Sequence, residues 1–261
     1  MKNTSILLKL LLLGGLVLSV FAPNVKGLAD DDSTASQQPA QLFVAQVKNQ
    51  VYVVHQGNQH TPNPPEALAE NDWVRTGADS KAYLEFQNGG VVEVGPNSNV
   101  KVSQLEITPR DFKARFLLAV GEFKAKVAKL TTASSVFEVQ AGGVVAGVRG
   151  TVFGVDYDQA NQQVSAATYE GTIFTQSQGR TETIDKGYGA VVDHTGAPTL
   201  SQLTQGQISS FQQFDNVAGL LEQKKQEMID DMKNRALQQI PQNVVPGQND
   251  IQNAIVPKLG F

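Results

Sequence analysis

Residues that could do acid–base, nucleophilic or metal chemistry are few in this chain, and their spacing matches no reactive arrangement. His55, His60 and His194 show neither an HExxH pattern nor another metal-ligand spacing. The chain has no cysteine, which excludes a thiol nucleophile, a cysteine zinc site and a disulfide framework. The adjacent acids at 30–32 lack the spaced ligands of a calcium loop. We therefore expect no catalytic residue, no metal and no cofactor.

A polysaccharide-active enzyme is the catalytic alternative. Some β-solenoid proteins cleave polysaccharides with two carboxylates on one strand face, and folding can assemble such a pair from distant residues. No motif in the sequence marks such a pair. We therefore expect a protein that is not an enzyme.

The N-terminus predicts an export signal over 1–29. The stretch 6–21 is almost wholly apolar but is interrupted by Lys9, which leaves an uncharged run of about a dozen residues, too short for a membrane span. Gly27 and Ala29 form the small-x-small pattern that signal peptidase needs, so we expect cleavage after Ala29. An uncleaved N-terminal anchor is the alternative. The mature protein would be periplasmic or secreted, and the absence of cysteine excludes lipoprotein anchoring.

Charge limits the class of partner. Cleavage would remove three lysines and no acid, leaving 18 basic and 25 acidic residues and a net charge of −7. A negative protein is unsuited to nucleic acid or anionic lipid. We therefore expect no nucleic acid, no membrane span after signal cleavage, and a protein as the partner.

The region 42–193 predicts an all-β domain behind a flexible polar leader, 30–41. In the clearest strand, 121–127, the apolar Phe123, Ala125 and Val127 alternate with charged residues, so one face covers a core. Similar runs recur every eight to twelve residues or so, which favours a sandwich, barrel or solenoid. These runs are 51–54, 82–86, 91–94, 100–102, 136–139, 152–157, 164–169, 172–175 and 190–192. Turns at 88–90 and 95–98, rich in Gly and Asn, separate some of them.

The C-terminal part predicts a linker at 194–207, an amphipathic helix at 208–240 and an irregular tail at 241–261. Apolar residues spaced by threes and fours mark the helix, although Gly219 and Lys225 interrupt the stripe. The helix either packs back on the β-domain or serves partner binding and self-association.

Two stretches identify a domain family more specifically than the amino-acid composition does. The first runs from Asp72-Trp73-Val74-Arg75-Thr76-Gly77 to the Gly95-Pro96-Asn97-Ser98 turn, and the second is centred on Ala146-Gly147-Val148-Arg149-Gly150-Thr151-Val152-Phe153. Together they resemble the FecR domain, whose pattern leads from a "hydrophobic, Arg or Lys, Thr, Gly" step to an "Ala-Gly-Val-Arg-Gly-Thr-x-Phe" segment. The resemblance covers about 42–192.

The resemblance implies an all-β, sandwich-like or β-solenoid-like fold outside the cytoplasm. In the best-known members the FecR domain is the outer half of a membrane-spanning regulator that senses an outer-membrane transporter and controls a sigma factor. This chain has only a few residues before its hydrophobic segment, so we expect no cytoplasmic sigma-binding domain and no direct sigma-factor control. The resemblance then suggests an interaction or assembly module of the cell envelope.

The motif glycines Gly147, Gly150 and Gly154 are expected to serve backbone conformation or close packing. Gly77 of the first stretch is expected to be a structural or partner-contact residue. Thr151 and Phe153 complete the octapeptide as structural or partner-contact residues.

Three larger motif residues have two interpretations each. Arg149, among apolar neighbours, needs carbonyl or carboxylate acceptors if it is buried, and Asp156 and Glu170 are candidates. A structural arginine that ties neighbouring turns together is the simpler interpretation of Arg149 and Arg75, and contact with a ligand or partner is the other. Trp73 is expected in the core, although exposed tryptophans also anchor interfaces.

We therefore expect an exported, non-enzymatic signalling or assembly module that binds protein partners through a rigid β-domain, with the 208–240 helix as a second contact surface. The rival is a structural component of an envelope or cell-wall machine that self-associates through 208–240.

Overall fold

The computed structural model describes residues 41–87, 89–108, 111–148, 150–192 and 197–238, with side chains described as far as 235. The predicted signal, almost all of the predicted leader and the predicted C-terminal tail lie outside the described residues.

The described chain forms seventeen strands and one long helix. In chain order the elements are β1 (Leu42–Lys48), β2 (Val51–His55), β3 (Asn58–His60), β4 (Glu66–Leu68), β5 (Trp73–Thr76), β6 (Lys81–Phe86), β7 (Val91–Val94), β8 (Asn99–Ile107), β9 (Phe112–Lys126), β10 (Val136–Ala141), β11 (Val144–Val148), β12 (Val152–Asp158), β13 (Gln163–Glu170), β14 (Thr172–Ser177), β15 (Arg180–Asp185), β16 (Tyr188–Val192), β17 (Pro198–Gln202) and α1 (Gln205–Gln238).

The strands make two sheets that share β9. Sheet A has the order β4-β1-β6-β7-β9-β12-β13-β16-β17. Sheet B has the order β3-β2-β5-β8-β9-β10-β11-β14-β15. The β9–β10 pair is parallel and the other pairs are antiparallel. From β6 onward the chain mostly adds hairpins to the two sheets in turn.

Strand β9 passes from one sheet to the other at Gly121. Its first part pairs with β8 in sheet B, and the part from Gly121 onward pairs with β7 and β12 in sheet A. Gly121 has φ of +98°, and a Cβ there would collide with Ser98. The bend therefore requires glycine.

One hydrophobic core fills the space between the sheets. Phe137 from sheet B lies near its centre, and its ring contacts five others: Phe86, Phe112, Phe116, Phe123 and Phe153. Phe86 and Phe153 come from sheet A, so the cluster bridges the layers. The predicted all-β, sandwich-like fold with a C-terminal helix is confirmed.

The predicted linker at 194–207 is wrong from residue 198 onward. Residues 198–202 form β17 and pair with β16, and α1 begins at Gln205. Thr204 and Gln207 form a capping box: the Gln207 N–H donates to Thr204 Oγ1 at 3.3 Å, and the Thr204 N–H donates to Gln207 Oε1 at 2.9 Å. These two residues start the helix earlier than its apolar period suggests.

No helix in the described ranges is long and apolar enough to cross a membrane.

Candidate interaction surface

Helix α1 covers the outer face of sheet A with an apolar stripe. Four buried side chains spaced by threes and fours form the stripe: Phe211, Phe214, Ala218 and Leu221. They join Tyr83, Val91 and Val152, on three different strands of sheet A, in a second hydrophobic cluster. The helix therefore packs on its own β-domain, as one of the two sequence interpretations predicted.

A glycine makes room for the largest side chain of the stripe. A Cβ at Gly154 would lie 3.2 Å from Phe211 Cζ, a tight contact. The Phe211 ring can therefore lie directly over β12, and it also stacks on Tyr169 of β13.

Ion pairs flank the apolar contact. Lys126 Nζ lies 3.2 Å from Asp215 Oδ1 and 3.3 Å from Glu222 Oε2. Burial opposes the charge on Lys126, but the two carboxylates outweigh it and raise the pKa of Lys126.

Lys225 anchors the helix further along. Its Nζ donates to the Phe86 carbonyl oxygen at 2.8 Å and lies 3.2 Å from Glu85 Oε1. Burial raises the pKa of Glu85, and Lys225 offsets part of that rise. The residue that interrupts the apolar stripe in the sequence is thus a polar contact to sheet A.

A buried carboxylate lies among the strands of the same face. Glu93 is 1% exposed, and Lys81 and Lys124 each place Nζ 3.0 Å from its Oε1. Burial alone would raise the pKa of Glu93, but the two lysines outweigh it and hold the pKa below its ordinary value. Burial and the Glu93 carboxylate together raise the pKa of Tyr83, which keeps the phenol protonated.

Glu122 and Asp156 lie opposite each other on neighbouring strands of this face. Burial, and then the Glu122 charge, raise the pKa of Asp156 to about 6, while Lys124 lowers it in part. Folding thus places two carboxylates on one face of neighbouring strands. Neither residue lines the surface cleft beside Trp73 or the one beside Phe112.

The outer face of sheet B bears no helix in the part of the chain that the structure describes. On β5, Trp73 and Arg75 point outward while Val74 and Thr76 are buried. Trp73 is half-buried and belongs to neither hydrophobic cluster, so its expected core position is wrong. The alternation along a four-residue strand places it on the same face as Arg75.

Arg75 is exposed and only loosely held. Its Nε and Nη1 donate to Asn99 Oδ1 and Gln59 Oε1, each at 3.4 Å. No carboxylate within the described residues forms an ion pair with it. Its guanidinium therefore has capacity for a stronger, charged acceptor.

A shallow cleft borders these two residues, lined by the β2–β3 and β4–β5 turns and by Trp73 and Arg75. Asp72 holds the β4–β5 turn, which forms one wall of this cleft. Its Oδ2 accepts from the Ala69 N–H at 2.9 Å, and its Oδ1 lies 2.7 Å from Nδ1 of the half-exposed His55. The buried Asp72 thus holds the turn that presents Trp73.

Thr76 and Gly77 connect corners of the fold. Thr76 Oγ1 donates to the Gly95 carbonyl at 2.5 Å and accepts from the Ser98 N–H at 2.9 Å. The Gly77 N–H donates to the Gln50 carbonyl at 2.9 Å, and its carbonyl accepts from Asn97 at 3.0 Å. These two residues therefore hold adjacent turns together.

Comparison with known proteins identifies the domain. Residues 72–174 match the family model described as FecR protein. Residues 72–174 are a FecR domain. The resemblance predicted from the sequence is confirmed, and the match lies within the predicted limits of 42–192.

Two crystal structures of a candidate anti-sigma factor from Parabacteroides distasonis, at 1.65 and 2.50 Å resolution, are similar to the chain. Each is 13% identical with a TM-score of 0.45, and the alignment covers 54% of this chain and 64% of that one. The chain thus spans just under two thirds of the length of these proteins. The comparison with curated proteins gave no match.

The second FecR motif begins on the same face as the first. Gly147 of β11 faces outward, and a Cβ there would collide with the half-exposed ring of Phe174 on β14. Four strand-to-strand steps separate β5 from β11, so Gly147 lies about 20 Å from Trp73. The two ends of the FecR domain's motif share a face without forming one compact site. No pattern in the sequence marks Phe174 as part of this face. The only related feature is the glycine, Gly147, that lies opposite it.

Gly150, Thr151 and Phe153 of the octapeptide serve the fold of the FecR domain. Gly150 has φ of +94°, and a Cβ there would lie 2.6 Å from Lys129 Cα. Thr151 is buried, and its carbonyl accepts from the Val127 N–H at 2.9 Å. Phe153 is fully buried in the central cluster. Arg149 lies outside the described residues, so both interpretations of it stay predictions.

Proposed function

We propose that this FecR-domain protein is an exported, non-catalytic signalling module that binds a protein partner in the bacterial cell envelope through the outer face of sheet B. One observation carries the proposal. The protein's own helix occupies one face of the sandwich, while the opposite face, which presents Trp73 and Arg75 of the FecR motif, is uncovered within the described chain.

The chemistry of this face suggests the kind of partner. Tryptophan and arginine are enriched at the energetic centres of protein interfaces, where an aromatic anchor is combined with a directional donor. Trp73 and Arg75 are two residues apart on one strand and border the same cleft. A protein segment with an apolar side chain for Trp73 and a carboxylate for Arg75 fits this arrangement.

Export is part of the proposal and is supported by the apolar run and the small-x-small pattern before Ala29. Intact-mass spectrometry of the protein purified from envelope fractions tests it. We expect a mass that begins at Asp30. A chain that keeps its N-terminus would favour the anchored alternative, and a cytoplasmic protein would refute export.

Crosslinking in intact envelopes tests the binding face. A photoreactive amino acid at Arg75 is expected to yield an adduct with another protein, identified by mass spectrometry. The same amino acid at Leu220, which is 57% exposed on the helix, is the control and is expected to yield none. Adducts at position 220 but not at 75 would contradict the proposed face.

Substitution of Arg75 separates binding from folding. Because Arg75 is exposed and held by two long hydrogen bonds, Arg75→Ala is expected to change the free energy of unfolding by less than about 0.5 kcal/mol. Capture of the crosslinked partner should nevertheless fall. Capture at the wild-type level would show that the guanidinium is not part of the interface.

A further inference from the structure

Edge strand β17 differs from the other edges of the two sheets. Unpaired edge strands are templates for pairing with another chain, and proteins usually protect them with charges or by shortening them. Strands β3 and β4 have only three residues each, and β15 carries Arg180, Glu182 and Asp185. Strand β17 has five residues and no charge, with only Pro198 at its first position as protection.

The main chain of β17 directs hydrogen-bonding groups away from its sheet. The Leu203 N–H donates to the Gly187 carbonyl at 2.9 Å, and Gln202 lies opposite Tyr188. Because antiparallel neighbours alternate between hydrogen-bonded and non-hydrogen-bonded pairs, Leu200 and Gln202 direct their N–H and C=O groups to the open edge. No other strand among the described residues pairs with that edge.

The same edge exposes apolar side chains of the core layer. Leu200 lies opposite Ala190, which is buried in the core, so both are on the inner side of sheet A. Leu200 is nevertheless 50% exposed, and Tyr188 on the same side of β16 is 42% exposed. Apolar side chains on the inner side of sheet A are therefore exposed at this edge, although the neighbouring Ala190 is buried.

We propose that β17 pairs in antiparallel fashion with β17 of a second copy of this chain, centred on Leu200. Leu200 is the middle residue of the strand, so a two-fold axis there places it opposite the partner's Leu200, and the two residues exchange both main-chain hydrogen bonds. The Gln202 N–H then donates to the carbonyl of the partner's Pro198. Since proline has no N–H, the pairing ends there.

A second copy suits this edge better than an unrelated strand. Pairing with itself places no like charges opposite each other, because the strand has none. It also brings the exposed Leu200 of each copy against the other, which covers apolar surface of both copies. The interface uses a sheet edge, and it is therefore independent of the partner face on sheet B.

Disulfide trapping tests the pairing directly, because the sequence has no native cysteine. In a hydrogen-bonded antiparallel pair the Cα atoms of opposite residues lie about 5.5 Å apart, within reach of a disulfide. Leu200→Cys is expected to form a covalent dimer of this chain under mild oxidation. Leu220→Cys, at a similarly exposed leucine on the helix, is the control and is expected to remain largely monomeric. Equal dimer yields for the two variants would overturn the proposal.

Light scattering of the same chain without new cysteines provides the second test. The wild type is expected to show a mass that rises with concentration toward twice the monomer. Leu200→Lys should keep it monomeric because two ammonium groups would face each other, whereas Leu220→Lys should associate like the wild type. A wild type that stays monomeric, or a dimer that survives Leu200→Lys, would overturn the pairing. Loss of association in Leu220→Lys alone would assign self-association to the helix instead.

Discussion

The ring of Phe211 in α1 stacks on the ring of Tyr169 in β13, with the centroids 5.6 Å apart and the planes 11° from parallel. This contact joins the helix to a strand at the C-terminal end of the FecR match. The helix therefore covers one face of the domain and contributes to its stability.

Phe211→Ala is expected to destabilise the protein by about 3–5 kcal/mol, as the loss of a buried phenylalanine usually does. Phe211 is buried and contacts both Tyr169 and the backbone space over Gly154, so the cavity would lie at the centre of the helix–sheet contact. Urea unfolding followed by circular dichroism would measure the effect. Leu220→Ala on the exposed side of the helix is the control and should change stability by less than about 0.5 kcal/mol. Equal effects would mean that the helix does not pack on sheet A.

Glu93→Gln is expected to destabilise the protein at neutral pH by about 3 kcal/mol, the lower end of the range for removing one partner of a buried ion pair. The substitution leaves Lys124, which is mostly buried, beside a neutral amide, while Lys81 still reaches solvent. Because the pKa of Glu93 is lowered in the fold, its contribution is present above the unfolded pKa near 4.3 and is lost as pH falls through the folded value. The difference between wild type and variant should therefore shrink below about pH 4.

The matched control is Glu138→Gln, because Glu138 forms a 2.7 Å ion pair with Arg115, which is more exposed than Lys124. Solvent screens that pair, so the loss should be less than about 1 kcal/mol. The free energies of unfolding of the wild type and both variants, measured at pH 7 and at acid pH, would test this difference. A Glu93 effect as small as that of Glu138 would show that the buried carboxylate is not held by its lysines.

The sandwich could be predicted because its strands carry their own pattern. In β9, side chains alternate between the core and the outer face on each side of the bend at Gly121, and the glycine-rich turn before β7 has positive φ at Gly89 and Gly90. Such local regularities need no knowledge of the partner strand. Their number and spacing favour a sandwich, barrel or solenoid over βαβ units.

Other features depend on contacts that the local sequence does not show. The polar segment Pro198–Gln202 is a strand only because β16 offers it an edge. Lys225 interrupts an apolar stripe in the sequence, yet it faces a carbonyl and a carboxylate of β6. Trp73 lies on the outer side of β5, where inward and outward residues alternate over only four positions. So short a pattern does not outweigh the general tendency of tryptophan to be buried.

The pKa of Asp156 is expected near 6 and should fall toward the ordinary value of about 3.9 in Glu122→Gln. Removing the facing charge takes away the repulsion, although the burial that contributes most remains, so the fall should be partial. A carbon-detected NMR titration of the Asp156 carboxyl group would measure both values. An ordinary pKa in the wild type would mean that water reaches this partly exposed carboxylate freely enough to cancel both effects.

The raised pKa of Asp156 also sets the sign of its effect on stability. The fold favours the protonated form, so this contribution is present below the unfolded pKa near 4 and is lost as pH rises through about 6. Asp156→Asn is neutral at every pH and should therefore be at least as stable as the wild type at pH 7. Thermal unfolding at pH 5 and pH 7 would compare the two. A variant that is less stable at pH 7 would show that the charged carboxylate makes a favourable contact.

Gly219→Ala is expected to stabilise the protein by about 0.5–1 kcal/mol, because glycine loses more backbone freedom than alanine in a helix. A Cβ at Gly219 meets no atom beyond the adjacent backbone of its own helix within 4 Å, so the added methyl group collides with no neighbouring element. Thermal unfolding would show a higher midpoint. Gly121→Ala is the opposing control, since its φ of +98° and its contact with Ser98 leave no room for a side chain, and it should destabilise the protein. If Gly219→Ala lowered stability, this part of α1 would need a conformation or a close neighbour that only glycine allows.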